Sequence, residues 1–187
     1  MNKLFQINKR FILVFIFSLT IVGLIYLLSN FLFIDKTEFD NSNLDKTQNK
    51  LYKIIKVIDG DTVVVMIGGK NETIRLIGIN TPEIVDPRRP VECFGREASK
   101  KVKEALINKR IRLEGDDAVS DKDEYGRLLR YIFLEDGTNF NKIMIKDGYA
   151  YEYTYNVPYK YQDEFKQVET DAREAKKGLW ADGVCKK

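Results

Sequence analysis

The sequence predicts an α+β protein: a small five-stranded barrel carrying three helices, preceded by one membrane-spanning helix. Three observations lead there. Short runs rich in Val and Ile are separated by Asp-Gly and Gly-Gly turns, the signature of strands in a meander. Apolar residues at helical spacing interrupt and then follow those strands. Ahead of them, Phe11 to Ile34 contains no charged side chain.

Taken in chain order, residues 1–10 carry Lys3, Lys9 and Arg10, and 11–34 is apolar apart from Ser18, Thr20, Gly23, Ser29 and Asn30. At about 1.5 Å per residue this run exceeds the roughly 30 Å hydrocarbon thickness of a bilayer. It is longer than a usual signal-peptide core, and no small-x-small cleavage site follows it, so it reads as an uncleaved signal anchor. Basic residues precede it, whereas Asp35, Glu38, Asp40 and Asp45 follow it. The positive-inside bias therefore places residues 1–10 in the cytoplasm and the remainder outside the cell. Residues 35–50 are polar apart from the isolated Phe39 and Leu44, too little apolar surface to offset the entropy of ordering, and read as a flexible linker. The domain proper is 51–187.

Within it, Leu51–Ile58, Thr62–Ile67 and Glu72–Ile79 are predicted strands. Glu83–Glu92 contains Pro87, Arg88, Arg89 and Pro90 and reads as an irregular loop. Ala98, Val102, Ala105 and Leu106 fall on one helix face. Arg110–Glu114 and Leu128–Leu134 are two further strands, and a short helix over Thr138–Lys146 ends at Gly148, which suits a C-terminal cap. The last helix aligns Tyr161, Phe165, Val168, Ala172 and Ala175 and stops at Gly178. Short strands closing on themselves, with helices inserted and appended, suggest a Greek-key barrel of the OB type.

Composition narrows the chemistry. The net charge is +3 over 187 residues, so no large basic field announces a nucleic-acid partner. The absence of histidine excludes His-based triads and paired-His ribonuclease chemistry. Two cysteines, Cys93 and Cys185, and no histidine fall short of the usual ligand sets of a structural zinc site; in an extracellular domain the two either form a disulfide or stay free.

Three short runs remain as carriers of chemistry: Asp59-Gly60-Asp61-Thr62, Arg75-Leu76 through Asn80-Thr81-Pro82-Glu83, and Asp123-Glu124-Tyr125-Gly126-Arg127. They supply carboxylate and amide oxygens, which suit a hard divalent cation, and two arginines, which suit a phosphate. Asp59 reads as turn chemistry. Arg75, in an apolar strand, is either ion-paired with a nearby carboxylate or one half of a phosphate grip with Arg127. Tyr149, Tyr151, Tyr153 and Tyr155 alternate, so in an extended segment they share a face that could stack bases; packing is the preferred reading for Tyr149 and Tyr161. Arg88 and Arg89 lie where a loop could meet phosphates, while Lys100, Lys101 and Lys103 read as solvated helix surface.

These runs, together with Cys93-Phe94-Gly95-Arg96-Glu97-Ala98 and Gly178-Leu179-Trp180, resemble the staphylococcal nuclease (thermonuclease) family over residues 51 to 182. The resemblance implies calcium held by Asp61, Asn80 and the Thr81 carbonyl, with Glu83 acting through water as the general base. It implies Arg75 and Arg127 as the groups that take up charge at phosphorus, and substrate contacts from the tyrosine segment, with Tyr153, Tyr155, Arg88 and Arg89 the candidates here. An ungapped alignment on Pro158 places Thr154 and Asn156 at the family's tyrosine positions instead. The family's best-studied members also have Asp where this chain has Asn80, and an uncharged ligand predicts weaker calcium binding. The expected activity is calcium-dependent, sequence-nonspecific hydrolysis of DNA and RNA to 3′-phosphate ends by a monomer held at the membrane. The alternative is a non-catalytic OB-type nucleic-acid-binding module.

Overall fold

The computed structural model describes residues 21–26 and 50–185. The chain divides into two compact units, Met1–Lys46 and Thr47–Lys187. In the first, residues 21–26 are helical with exposed apolar side chains. The rest of the predicted anchor over 11–34, and the linker apart from Lys50, lie outside the described residues. Among the described residues no helix is long and apolar enough to cross a membrane.

The second unit is the expected barrel. Strands β1 (Leu51–Asp59), β2 (Thr62–Ile67) and β3 (Lys70–Leu76) form an antiparallel meander, turned by Gly60 and by Gly68-Gly69. Strand β5 (Arg110–Glu114) pairs with β1, and β6 (Leu128–Leu134) pairs antiparallel with β5 and parallel with β3, which closes a barrel in the order β1-β2-β3-β6-β5. Closure leaves no strand edge exposed, and inward-facing Ile54, Val63, Val65, Ile74, Leu76, Ile111 and Ile132 fill the interior. Helices α1 (Gly95–Leu106), α2 (Phe140–Lys146) and α3 (Gln162–Glu174) pack around it. Asn141, fully buried on α2, donates to the Ile77 carbonyl (2.9 Å) and accepts from the Ile132 N–H (3.0 Å), pinning that helix to two places in the barrel wall.

The structure corrects the sequence reading at two boundaries. Strand β3 stops at Leu76, short of the predicted Ile79, because Gly78 turns the chain with φ 75°. A side chain there would meet Tyr159 at 2.6 Å and Phe165 at 2.9 Å, so this turn is required for packing α3 on the barrel. Ile79–Asn80 resumes as the short strand β4, paired with β7 (Tyr151–Glu152). The tyrosine segment is accordingly not one extended strand; only that pair of residues is. The last helix ends at Glu174, and Gly178–Trp180 forms a separate 3₁₀ turn.

The two cysteines, which the sequence left either paired or free, are joined: Cys93 at the entry to α1 is bonded to Cys185, with 5.7 Å between their Cα atoms.

Candidate active site

The site grows from the β1–β2 turn. A bulge between Val57 and Asp59 precedes it, a device that re-aims the end of a strand, and Asp59 and Asp61 are both almost fully buried there. Gly60 between them has no room for a side chain: a Cβ would lie 2.8 Å from the Thr81 hydroxyl. That close approach lets Asp61 bind the next segment directly. Its Oδ2 accepts the Thr81 N–H at 3.0 Å, while Oδ1 accepts the Thr62 hydroxyl at 2.9 Å.

Arg75 stands opposite Thr62 in the β2–β3 ladder and reaches into the same space. Its Nη1 donates to the carbonyls of Leu76 (2.7 Å) and Ile79 (2.8 Å), and its Nη2 lies 3.1 Å from Asp61 Oδ2 and 3.0 Å from Asn80 Oδ1. The ion pair foreseen for Arg75 therefore exists, with Asp61 as the partner. Arg75 also lines the open cleft, which leaves the phosphate reading open beside the ion pair.

The donor set fits a hard divalent cation. Asp61 Oδ2 and Asn80 Oδ1 converge on one positively charged nitrogen, and the buried Thr81 hydroxyl beside them has no hydrogen-bond partner. Negative charge is also crowded here. Burial, and then the charges of Asp61 and Glu83, push the Asp59 carboxyl up to about 6 despite a hydrogen bond from the Gly60 N–H. The turn reading of Asp59 is met at the same time: its Oδ1 accepts the Gly60 N–H at 2.7 Å. Among the described residues no group of three His, Cys, Asp or Glu could hold a metal alone, so the fit relies on amide and backbone oxygens.

Glu83 follows on the far side of Pro82. Burial raises its carboxyl, but N–H donors from Val85 (2.6 Å) and Asp86 (3.2 Å) outweigh that and leave it below the usual carboxylate range. It is ionised at neutral pH, the form a base needs.

Arg127 comes from the loop before β6. Asp123 accepts from the backbone N–H of Tyr125 (3.0 Å) and Arg127 (2.9 Å) and holds the Arg127 Nε at 2.6 Å, while the guanidinium lies over the Tyr125 ring, 5.2 Å from its centre. Asp123 was legible only as part of its run; an Asp two residues before the Tyr-Gly-Arg corner is the signal of such a side-chain-closed turn.

All of the sequence-predicted site residues, Asp61, Arg75, Asn80, Thr81, Glu83, Arg88, Arg89, Arg127, Tyr153 and Tyr155, line one cleft of about 1180 Å³. Tyr153 and Tyr155 are exposed with ring centres 6.3 Å apart, and Asn156 lines the cleft beside them. Thr154 turns away to Glu152 and Gln162. Tyr149 packs on Phe94 and Tyr161 on Tyr131, as preferred for both, while Tyr151 meets Trp180 edge-on. Arg88 and Arg89 are held within their loop by Asp86. The α1 lysines stay out of the cleft: Lys101 pairs with Asp147 and Lys100 with Glu104.

Comparison with known proteins gives concordant matches. A family model described as staphylococcal nuclease homologue matches residues 73–182. The thermonuclease of Staphylococcus hyicus is 38% identical over 161 residues, 86% of this chain and 94% of that protein. The thermonuclease of Staphylococcus intermedius is 38% identical over 142 residues, covering 76% and 82% respectively. Endonuclease YncB of Bacillus subtilis (strain 168) is 36% identical over 139 residues, 73% of this chain and 65% of its own.

Proposed function

The chain belongs to the staphylococcal nuclease family and is a nuclease, and from that premise we propose that it hydrolyses DNA and RNA in a calcium-dependent reaction with little sequence preference, leaving 3′-phosphate ends. One observation carries this reading: ligands, base and arginines from separate elements converge on a single cleft. Asp61, Asn80 and the Thr81 carbonyl would hold the calcium. Calcium held there supplies positive charge to a phosphoryl oxygen.

The remaining chemistry belongs to the chain's own side chains. Glu83 accepts a proton from the water that attacks phosphorus. Arg75 and Arg127 donate to the oxygens on which negative charge builds, and being charged donors they bind that state better than the ground state. The 5′ oxygen then leaves as the phosphorus–oxygen bond breaks. Tyr153 and Tyr155 offer ring faces to successive bases, and stacking is indifferent to base identity. Arg88 and Arg89 add phosphate contacts at the cleft's rim. The OB-type binding-module alternative predicts loss of this acidic and arginine set, which the chain retains apart from Asn80.

The proposal includes the setting. An anchor over 11–34 would hold a monomeric domain outside the cell, and the Cys93–Cys185 disulfide suits an oxidising exterior. Protease digestion of intact cells that removes the domain supports this topology, and full protection contradicts it.

Glu83→Gln and Arg127→Ala test the assignment. Each is expected to lower kcat on single-stranded DNA by about 10²–10⁴-fold. Normal turnover in a folded Arg127→Ala protein would refute the phosphate grip.

A further inference from the structure

Glu83 is held from outside its own turn by the entry to α1. Its backbone N–H donates to Glu92 Oε2 at 2.9 Å, and its carbonyl accepts the Glu92 N–H, also at 2.9 Å. The Gly95 N–H returns to the Glu92 carbonyl at 3.1 Å. Gly95 itself is pressed on the segment that carries Glu83: a Cβ there would lie 2.8 Å from the Pro82 carbonyl oxygen and 2.5 Å from Ile84 Cγ2. Between the clamp residue Glu92 and this contact stand Cys93 and Phe94. Phe94 sits in the left-handed region at φ 68°, a conformation that a bulky residue keeps only when its surroundings over-determine it.

Non-covalent contacts on one side of this corner are the Phe94–Tyr149 ring contact, at 5.4 Å, and the α1 hydrogen bond from Ala98. The covalent restraint is the disulfide to Cys185, which reaches across 92 residues of sequence. Cys93 is exposed, so a dithiol reductant has access to it.

We propose that the Cys93–Cys185 disulfide is a positioning element for Glu83 and that its redox state gates turnover. The proposal rests on Glu83 acting as the base. A thiolate of a dithiol attacks one sulfur, the S–S bond breaks, and the second thiol of the reductant closes its own disulfide. Two electrons pass to the protein, and with two protons both cysteines become thiols. Cys93 is then no longer tied to the C-terminal segment, the Glu92 clamp loosens, and Glu83 loses its fixed distance to the reacting water. Arg127, Tyr153 and Tyr155 belong to other elements and keep their places, and Arg88 keeps its Asp86 partner, while Arg89, which also pairs with Glu92 and Glu83, loses part of its anchorage. Turnover falls more than substrate binding.

The test uses the full chain, oxidised or reduced by dithiothreitol, with free thiols counted by alkylation and mass spectrometry. Amide hydrogen exchange is read at Glu83, Val85 and Asp86, with Val65 and Ile132 as barrel controls, beside kcat and KM on single-stranded DNA. Reduction is expected to speed exchange at the three site amides well beyond the rise that lost global stability gives the barrel amides, and to lower kcat about tenfold, with KM within about threefold. Cys185→Ser is expected to behave like the reduced protein and to ignore the reductant. Verified reduction that changes neither exchange nor kcat overturns the proposal, as does an equal rise in exchange throughout the barrel. Faster local exchange with unchanged kcat overturns the gate. If Glu83→Gln also turns over normally in that case, the failure lies in the assignment of Glu83 as base.

Discussion

Arg75 and Arg127 have one predicted role and different surroundings, and the difference is measurable. Arg75 bonds two backbone carbonyls, Asp61 and Asn80 in a mostly buried position. Removing it strands a buried carboxylate and those carbonyls, so Arg75→Ala is expected to lose activity and also about 3 kcal/mol of stability in urea denaturation. Arg127 is more exposed and its partner Asp123 keeps its backbone donors, so Arg127→Ala is expected to melt within a few degrees of wild type. Asn80 gives the sharpest ligand test. Asn80→Asp restores a charge at a hard-cation site and is expected to tighten calcium binding about tenfold, roughly 1.4 kcal/mol, by calorimetric titration. An unchanged affinity would remove Asn80 from the ligand set. The identities of these residues were legible in the sequence because few side-chain types suit a hard cation and a phosphate. The identity of Arg75's ion-pair partner, Asp61, and the raised Asp59 carboxyl were not, since both arise only when β1, β2 and β3 are laid side by side.

At the scale of elements, the strands were legible wherever a Gly turn bounded a Val- and Ile-rich run, and the helices wherever apolar spacing was sustained. Strands β4 and β7 were not, because two-residue strands have no periodicity to read. Strand β4 begins directly after Gly78, where the positive φ and the crowding of Tyr159 and Phe165 from far along the chain each require glycine. The junctions between elements carry two predictions. Asn141→Ala leaves the Ile77 carbonyl and Ile132 N–H unsatisfied in the core and is expected to cost about 2–3 kcal/mol by urea denaturation, with the barrel retained. Asp116 ties the loop after β5 to the entry of α3 by accepting the Tyr131 hydroxyl (2.6 Å) and the N–H groups of Lys160 (2.7 Å) and Ala118 (2.9 Å). Burial raises its carboxyl, but these donors prevail and lower it. The folded state therefore binds this proton less readily than the unfolded chain. The stabilisation is full above the unfolded value of about 3.9 and disappears as pH falls through the lowered folded value. Asp116→Asn is accordingly expected to be about 1 kcal/mol less stable than wild type at neutral pH, a gap that narrows in acid.

The whole molecule combines a closed barrel, which supplies rigid strand ends, with a C-terminal segment tied back through Cys185 to the entry of α1. In the chain-entropy account a bond spanning 92 residues stabilises by about 4.6 kcal/mol, and Cys185→Ser is expected to lower the melting temperature correspondingly. The barrel could be foreseen from its five strands, whereas the disulfide could be foreseen only as an option, since cysteine spacing alone does not bring two chain segments together. The central claim is that the cleft is a calcium-dependent phosphodiesterase site. The most direct measurement is cleavage of DNA and RNA by the purified protein, first with calcium and then with a chelator added, with the product ends identified. The account predicts rapid cleavage to 3′-phosphate fragments that stops on chelation and resumes when calcium is returned; cleavage indifferent to the chelator, or chelator-insensitive binding without cleavage, would contradict it.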